Sequence, residues 1–303
     1  MNTKQLKYVL TLANEGSFSR AADALGISQP SLSQYIKKIE QEQGVALFDR
    51  PGGRVRLTDA GQIYIEAGRS ILDIEHRMES ALSDLGEHKS GSLVVGTAPY
   101  RSVAVMPRIA AAFKRRYPGV CLVVAERGSN ELIEGIERGE FDLCLLPNPP
   151  ASKLFTVTDV MEEELVLAVP RRLRDRFTPS PMAGRKHPAI DIKAVDGMPF
   201  VMITETQIMQ MTLDRLCREH DLTLQKEVVV KSLEAQIAMV AAGVGLALVP
   251  DGVERFATED VAYFSIKQPL PKRRIVALHR SDRPLSVVAR DLIELMKQSN
   301  GDL

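Results

Sequence analysis

Residues 17–44 read SFSRAADALGISQPSLSQYIKKIEQEQG, two amphipathic stretches separated by a glycine. Phe18, Ala21, Ala22 and Leu25 recur at helical spacing in the first, and Leu32, Ile36 and Ile39 in the second. Gly26 turns the chain within three residues. Ser28 is a cap candidate for the second helix, and Pro30 falls in its first turn, where a missing N–H does no harm. The small Ala21 and Ala22 let two helices cross closely. This spacing predicts a helix-turn-helix, whose second helix enters the DNA major groove with its N-terminal residues foremost. The outer face of that helix carries Gln29, Pro30, Ser31, Ser33, Gln34 and Lys37, where a surface helix more often has Glu and Lys. Gln reads a base edge with two hydrogen bonds, Ser donates or accepts, and a Pro ring meets a thymine methyl. A merely solvated helix start is the alternative, since Ser and Gln are common at such positions.

The flanking residues favour DNA. A first helix is expected from Leu6, Val9, Leu10 and Ala13, with Thr3 as its cap and Gly16 as its end. Residues 45–58, VALFDRPGGRVRLT, alternate around Pro-Gly-Gly and predict a hairpin wing presenting Arg50, Arg54 and Arg56. Residues 1–58 hold eight basic and five acidic side chains, whereas the whole chain of 303 residues is neutral, with 39 of each sign. A local basic excess is what phosphate binding requires.

The ordered set Ala21-Ala22, Leu25, Ser28-Gln29-Pro30-Ser31-Leu32-Ser33, Ile36, Ile39-Glu40, Gly44, Leu47-Phe48, Arg50, Leu57-Thr58 and Ala60-Gly61 resembles the LysR-type transcriptional regulators. Gly53 departs from the family pattern, with Arg54 beside it.

From Thr58 to Glu87 there is no proline, and Ala60, Tyr64, Ala67, Ile71, Ile74, Met78, Ala81 and Leu85 alternate steps of four and three. Such a seam predicts a helix about 45 Å long that meets an identical helix. Packing against its own chain is the alternative. The resemblance points to the dimer, since a linker helix of this kind is the family's usual dimer contact.

Beyond the HKSGS hinge at residues 88–92, apolar strands at 93–96, 120–124, 141–147, 164–170, 199–204, 227–232, 245–250 and 273–279 are interleaved with helical segments. This predicts βαβ units, a parallel sheet, and two α/β lobes with a cleft beyond the strands' carboxyl ends. Thr97, Tyr100, Arg101 and Ser102 follow the first strand, Ser129 and Asn130 the second, and Thr204, Thr206 and Gln207 the opening strand of the second lobe. Hydroxyls and helix-start N–H groups suit a small organic anion, although Glu205 would suit an amine, and each polar residue has a plain cap role as its alternative.

GxLxxG at Gly91–Gly96, LIEGIERGEFDLCLLP at 132–147 and VAAGVGLALVP at 240–250 resemble the same family's effector-binding domain. The resemblance implies the two-lobed fold of periplasmic solute-binding proteins. The expected architecture is therefore a multidomain α/β chain: a winged helix-turn-helix at 1–58, a linker helix at 59–89 and an effector domain at 90–303. Its lobe I would span about 90–161 and 268–303, and its lobe II about 162–267. It further implies double-stranded operator DNA, a small-molecule effector, a homodimer or homotetramer, and RNA polymerase as partners.

Apolar residues make up 45% of the chain, enough to bury separate cores, and no run reaches the roughly 18 residues of a membrane span. Cys121, Cys144 and Cys217 cannot all pair, which fits a reducing cytoplasm. His76, His88, His187, His220 and His279 are dispersed without metal-ligand spacing, and no phosphate loop or G-x-S-x-G elbow occurs. No enzyme, cofactor or metal is expected. A solute-binding transport protein is the rival to a ligand-responsive regulator, and the basic N-terminal module and absent signal peptide count against it.

Overall fold

Asn2, one residue before the expected Thr3, caps the first helix, α1 (Thr3–Glu15): its side chain accepts from the Gln5 N–H at 2.9 Å, and the Gln5 side chain accepts from the Asn2 N–H. This reciprocal capping box uses polar atoms that the helix start leaves free. α2 (Phe18–Leu25) ends at Gly26, whose φ of 65° favours glycine, and α3 (Gln29–Gln43) starts at Ser28, whose hydroxyl accepts from the Ser31 N–H at 3.3 Å. Leu6, Val9, Leu12, Phe18, Ala21, Ala22, Leu32, Ile36 and Ile39 form the core of this bundle. The computed structural model describes residues 2–49, 55–86, 90–204, 208–256, 258–270 and 272–298.

β1 (Phe48–Asp49) and β2 (Arg56–Leu57) pair antiparallel, with Phe48 opposite Leu57. Thr58 caps the long helix α4 (Asp59–Leu85) by accepting from the Gly61 N–H at 3.0 Å. Gly61 is required there, since a Cβ would lie 2.0 Å from the Leu47 carbonyl oxygen.

α4 has two apolar faces, which corrects the single seam expected. Tyr64 and Ile65 are buried in the helix-turn-helix core, with Ala60 and Leu72 packed against it. Tyr64 is therefore not on an open seam. The exposed stripe instead runs through Ile63, Ala67, Ile71, Ile74, Met78 and Leu82, with Ile63 69% and Leu82 61% exposed. The side chains of Ala81 and Leu85 lie outside the described residues.

The second unit holds two lobes. Its elements run β3 (Gly91–Thr97), α5 (Pro99–Ala104), α6 (Met106–Arg116), β4 (Val120–Glu126), α7 (Ser129–Arg138), β5 (Leu143–Pro147), β6 (Phe155–Glu163) and β7 (Leu165–Pro170). β8 (Ala189–Ile190), β9 (Pro199–Ile203), α8 (Ile208–His220), β10 (Gln225–Val230), α9 (Leu233–Ala241), β11 (Ala247–Pro250), β12 (Val261–Ile266), β13 (Arg273–Arg280) and α10 (Val287–Gln298) follow. The first lobe is a five-stranded sheet in the order β4-β3-β5-β13-β6, and the second combines β11-β7-β12-β8 with the pair β10-β9.

The sheets are mixed, not parallel as expected. β3 and β5 are parallel, but β13 runs antiparallel to β5 and β6, and β7 runs antiparallel to β11 and β12. β13, returning from the second lobe, lies between β5 and β6 and runs against both, while β5 and β6 themselves point the same way. β6 was not anticipated because Thr156, Val157 and Glu162 face solvent on this edge strand, which breaks the apolar run that marks a central one.

Candidate DNA-reading face and effector cavity

On α3 the buried Leu32, Ile36 and Ile39 fix the rotation of the helix. Gln29, Pro30, Ser31, Gln34 and Lys37 are thereby exposed on the opposite side, with Ser33 half-buried at its margin. The Ser31 hydroxyl pairs with that of Ser28 at 2.7 Å, so it is partly engaged in the cap. In the wing Arg56 is exposed, while Arg50 and Arg54 lie outside the described residues.

Sequence reasoning missed what holds the wing. Glu40, on α3, accepts from the Leu47 N–H at 2.8 Å and the Phe48 N–H at 3.1 Å. One carboxylate thus ties the wing's first strand to the candidate reading helix, a charge-assisted arrangement stronger than a neutral bond. Charge alone gave no signal, since Glu40 is one of five acidic side chains in this module.

Between the two lobes lies a cavity of about 530 Å³. Its first-lobe wall comes from the start of α5, the Arg127–Glu131 turn into α7, Pro147 and Arg273, and its second-lobe wall from Thr204, Met209 and the start of α9. The positive ends of α7 and α9 therefore face it. Of the residues expected in this pocket, Tyr100, Arg101, Ser129, Asn130 and Thr204 line it. Thr206 and Gln207 lie outside the described residues.

Two expected residues do not line the cavity. Thr97 is fully buried in the sheet, its hydroxyl donating to the Leu145 carbonyl at 3.3 Å. Ser102 donates to the Pro99 carbonyl at 2.6 Å and bonds Glu126. Nor is Arg101 free to meet a ligand as expected. It is 1% exposed, and its Nε and Nη2 donate to Glu163 at 3.2 and 3.0 Å, while the Tyr100 hydroxyl donates to the same carboxylate at 2.5 Å. Burial opposes ionisation of Glu163, but Arg101 and Arg273 overcome it and hold the carboxyl below its ordinary range. Burial also pushes the Tyr100 hydroxyl up, so it stays a donor.

Sequence reasoning missed Arg273, Lys231 and Glu234, all at the cavity wall. Arg273 was legible as a charge opening an apolar strand. Behind the wall, burial and then the charge of Glu163 push Asp251 up to about 6. Among the described residues no group of three or more His, Cys, Asp or Glu side chains is placed to hold a metal ion, and no helix is long and apolar enough to cross a membrane.

A helix-turn-helix with a wing, joined through one long helix to a two-lobed cavity, defines a DNA-binding regulator that responds to a small molecule. Residues 3–62 match the description "Bacterial regulatory helix-turn-helix protein, lysR family", and residues 86–301 match "LysR substrate binding domain". The chain is 31% identical over 313 residues to an uncharacterized HTH-type transcriptional regulator, YcgK of Bacillus subtilis (strain 168), covering 99% of this chain and 95% of that protein. It is 30% identical over 287 residues to a hydrogen peroxide-inducible genes activator of Pectobacterium carotovorum subsp. carotovorum, covering 94% and 92%. The crystal structure of full-length CbnR with its target DNA superposes with a TM-score of 0.70 at 21% identity, covering 99% of this chain and 100% of that one.

The chain belongs to the LysR family of transcriptional regulators. It is not an enzyme, and the comparisons lend nothing to the transport-protein reading.

Proposed function

We propose that this regulator binds operator DNA as a dimer through Gln29, Pro30, Ser31, Ser33, Gln34 and Lys37, with wing phosphate contacts from Arg50, Arg54 and Arg56. The observation that carries the reading is the exposure of Gln29, Pro30, Ser31, Gln34 and Lys37 opposite the buried Leu32, Ile36 and Ile39. The exposed stripe from Ile63 to Leu82 on α4 supports self-association, since a narrow apolar stripe on a long helix needs a partner. Tetramers, contact with RNA polymerase and a cytoplasmic location follow as family-level expectations. An effector between the lobes changes their arrangement, and through the paired α4 helices the spacing of the two DNA-reading modules.

Peroxide sensing, the attribute named for several relatives, is not carried over. Burial pushes the thiol of the enclosed Cys144 up, and that of the half-buried Cys217 likewise, whereas Cys121 is exposed on β4.

Footprinting on fragments selected from host genomic DNA tests the reading. A protected site with two half-sites about one helical turn or a multiple apart is expected. Protection of a single half-site would remove the dimer. An undisturbed oligomer in sedimentation of Ile71→Asp with Ile74→Asp would exclude α4 as the contact.

A further inference from the structure

Glu163 and Arg273 oppose one another at the end of the β6–β13 pair, where the chain leaves the first lobe and returns to it. Arg101 reaches the same carboxylate from α5. All three are buried, at 1% exposed for Arg101, 4% for Glu163 and 6% for Arg273. One carboxylate thus faces two guanidinium groups. Arg101 and Tyr100 take its hydrogen bonds, whereas Arg273 brings Nη1 to 3.3 Å from Glu163 Oε2 and has no hydrogen-bond partner at Nη1 or Nε. Among the other described charged residues at the wall, Arg127 and Lys231 balance Glu131 and Glu234. Arg273 itself keeps buried donors at Nη1 and Nε that no acceptor of the protein fills, and a buried donor left unmet is disfavoured.

We propose that Arg273 reads the effector's charge, and that the effector is a small monocarboxylic acid with an apolar body. Its carboxylate supplies the missing acceptor for Arg273 at the junction of the lobes, and Pro99, Pro147, Met209 and Leu233 offer apolar wall to the rest of the molecule. Because the charge settles where both lobe connections cross, occupancy bears directly on the lobe arrangement. This rests on the effector-cavity reading above and adds to it the residue and the ligand class.

The test measures thermal shift and calorimetric binding on the full chain at constant ionic strength. Probes are sodium hexanoate, phenylacetate and succinate, with hexanamide and phenylacetamide as uncharged matches. At least one monocarboxylate should bind saturably, its amide should not, and Arg273→Met should weaken that binding by more than about ten-fold. Without ligand, Arg273→Met should melt closer to the parent than Arg101→Met does, because the Nε and Nη1 of Arg273 make no hydrogen bond whereas Arg101 gives two to Glu163. Arg273→Gln gives the same comparison in case the methionine variant does not fold. The proposal is overturned if Arg273→Met melts as low as Arg101→Met, if it keeps full affinity, or if no monocarboxylate binds the parent. Amide binding lost in Ser129→Ala with Thr204→Ala but kept in Arg273→Met would preserve the effector cavity and remove the role of Arg273.

Discussion

The polar side chains at the start of α3 and those around α5 belong to similar sequence settings, a few small hydroxyl and amide residues opening a helix, yet they meet opposite fates. Gln29, Gln34 and Lys37 are exposed on a face that nothing in their own bundle covers. Thr97, Arg101 and Ser102 are occupied within the protein, by Leu145, Glu163 and Glu126 respectively. The difference lies in what surrounds the helix. α3 packs one face on a small bundle, whereas α5 turns Tyr100 and Arg101 inward between the first-lobe sheet and the second-lobe core and leaves Val103 exposed. Polar groups inside such an enclosure must find partners there, because an unmet one is costly.

The sharpest way to break the comparison is Glu163→Ala. It leaves two buried guanidinium groups without their carboxylate and should destabilise the effector unit by about 3–5 kcal/mol, read by calorimetry. A loss below about 1 kcal/mol would mean these ions are not buried in solution.

Asp251→Asn tests the same enclosure in the other direction. The folded carboxyl holds its proton up to about pH 6 against an ordinary value of 3.8, so its ionisation opposes folding, and stability falls as pH rises through that window. Asn keeps the acceptor for the Glu164 N–H, bonded at 3.3 Å in the parent. The variant should gain up to about 3 kcal/mol at pH 7 and lose the parent's decline between roughly pH 4 and 6. An unchanged pH profile of melting would count against it.

On α3, Gln29→Ala should leave stability within about 0.5 kcal/mol while reducing discrimination between operator and random DNA by about 1–3 kcal/mol. Lys37→Ala should weaken both kinds of DNA alike. Equal loss on both DNAs for Gln29→Ala would remove α3 as the reader. Least of all, Thr97→Ala should reduce stability by about 0.5–1.5 kcal/mol and leave ligand affinity untouched, since its hydroxyl serves the sheet. A loss of ligand affinity in that variant would return Thr97 to the cavity.

How legible each region was follows from the range of its contacts. In the DNA-binding unit the decisive relations are three to four residues apart, as in the Leu32, Ile36 and Ile39 stripe or the Ser28 cap, and periodicity exposes them. The second face of α4 was hidden because Tyr64 packs with residues from α1 to α3, which heptad spacing does not register. In the effector unit strand and helix segments were readable, but their direction in the sheet was not, since β13 joins β5 only after more than a hundred intervening residues. The cavity suffered most. Whether Thr97 or Arg101 meets a ligand depends on partners 48 and 62 positions away.

The register that sets Arg273 opposite Glu163 has a topological consequence. β6 and β13 form an antiparallel pair that closes at these two residues, so the whole second lobe is the loop of a single, very long hairpin. Its two ends emerge side by side, as the ends of a tight turn do. A two-residue turn joining position 163 to 273 would satisfy the same pair geometry, leaving a five-stranded sheet whose strand order is unchanged. Conversely, a foreign lobe with adjacent termini could be spliced at the same point without altering the register of any first-lobe strand.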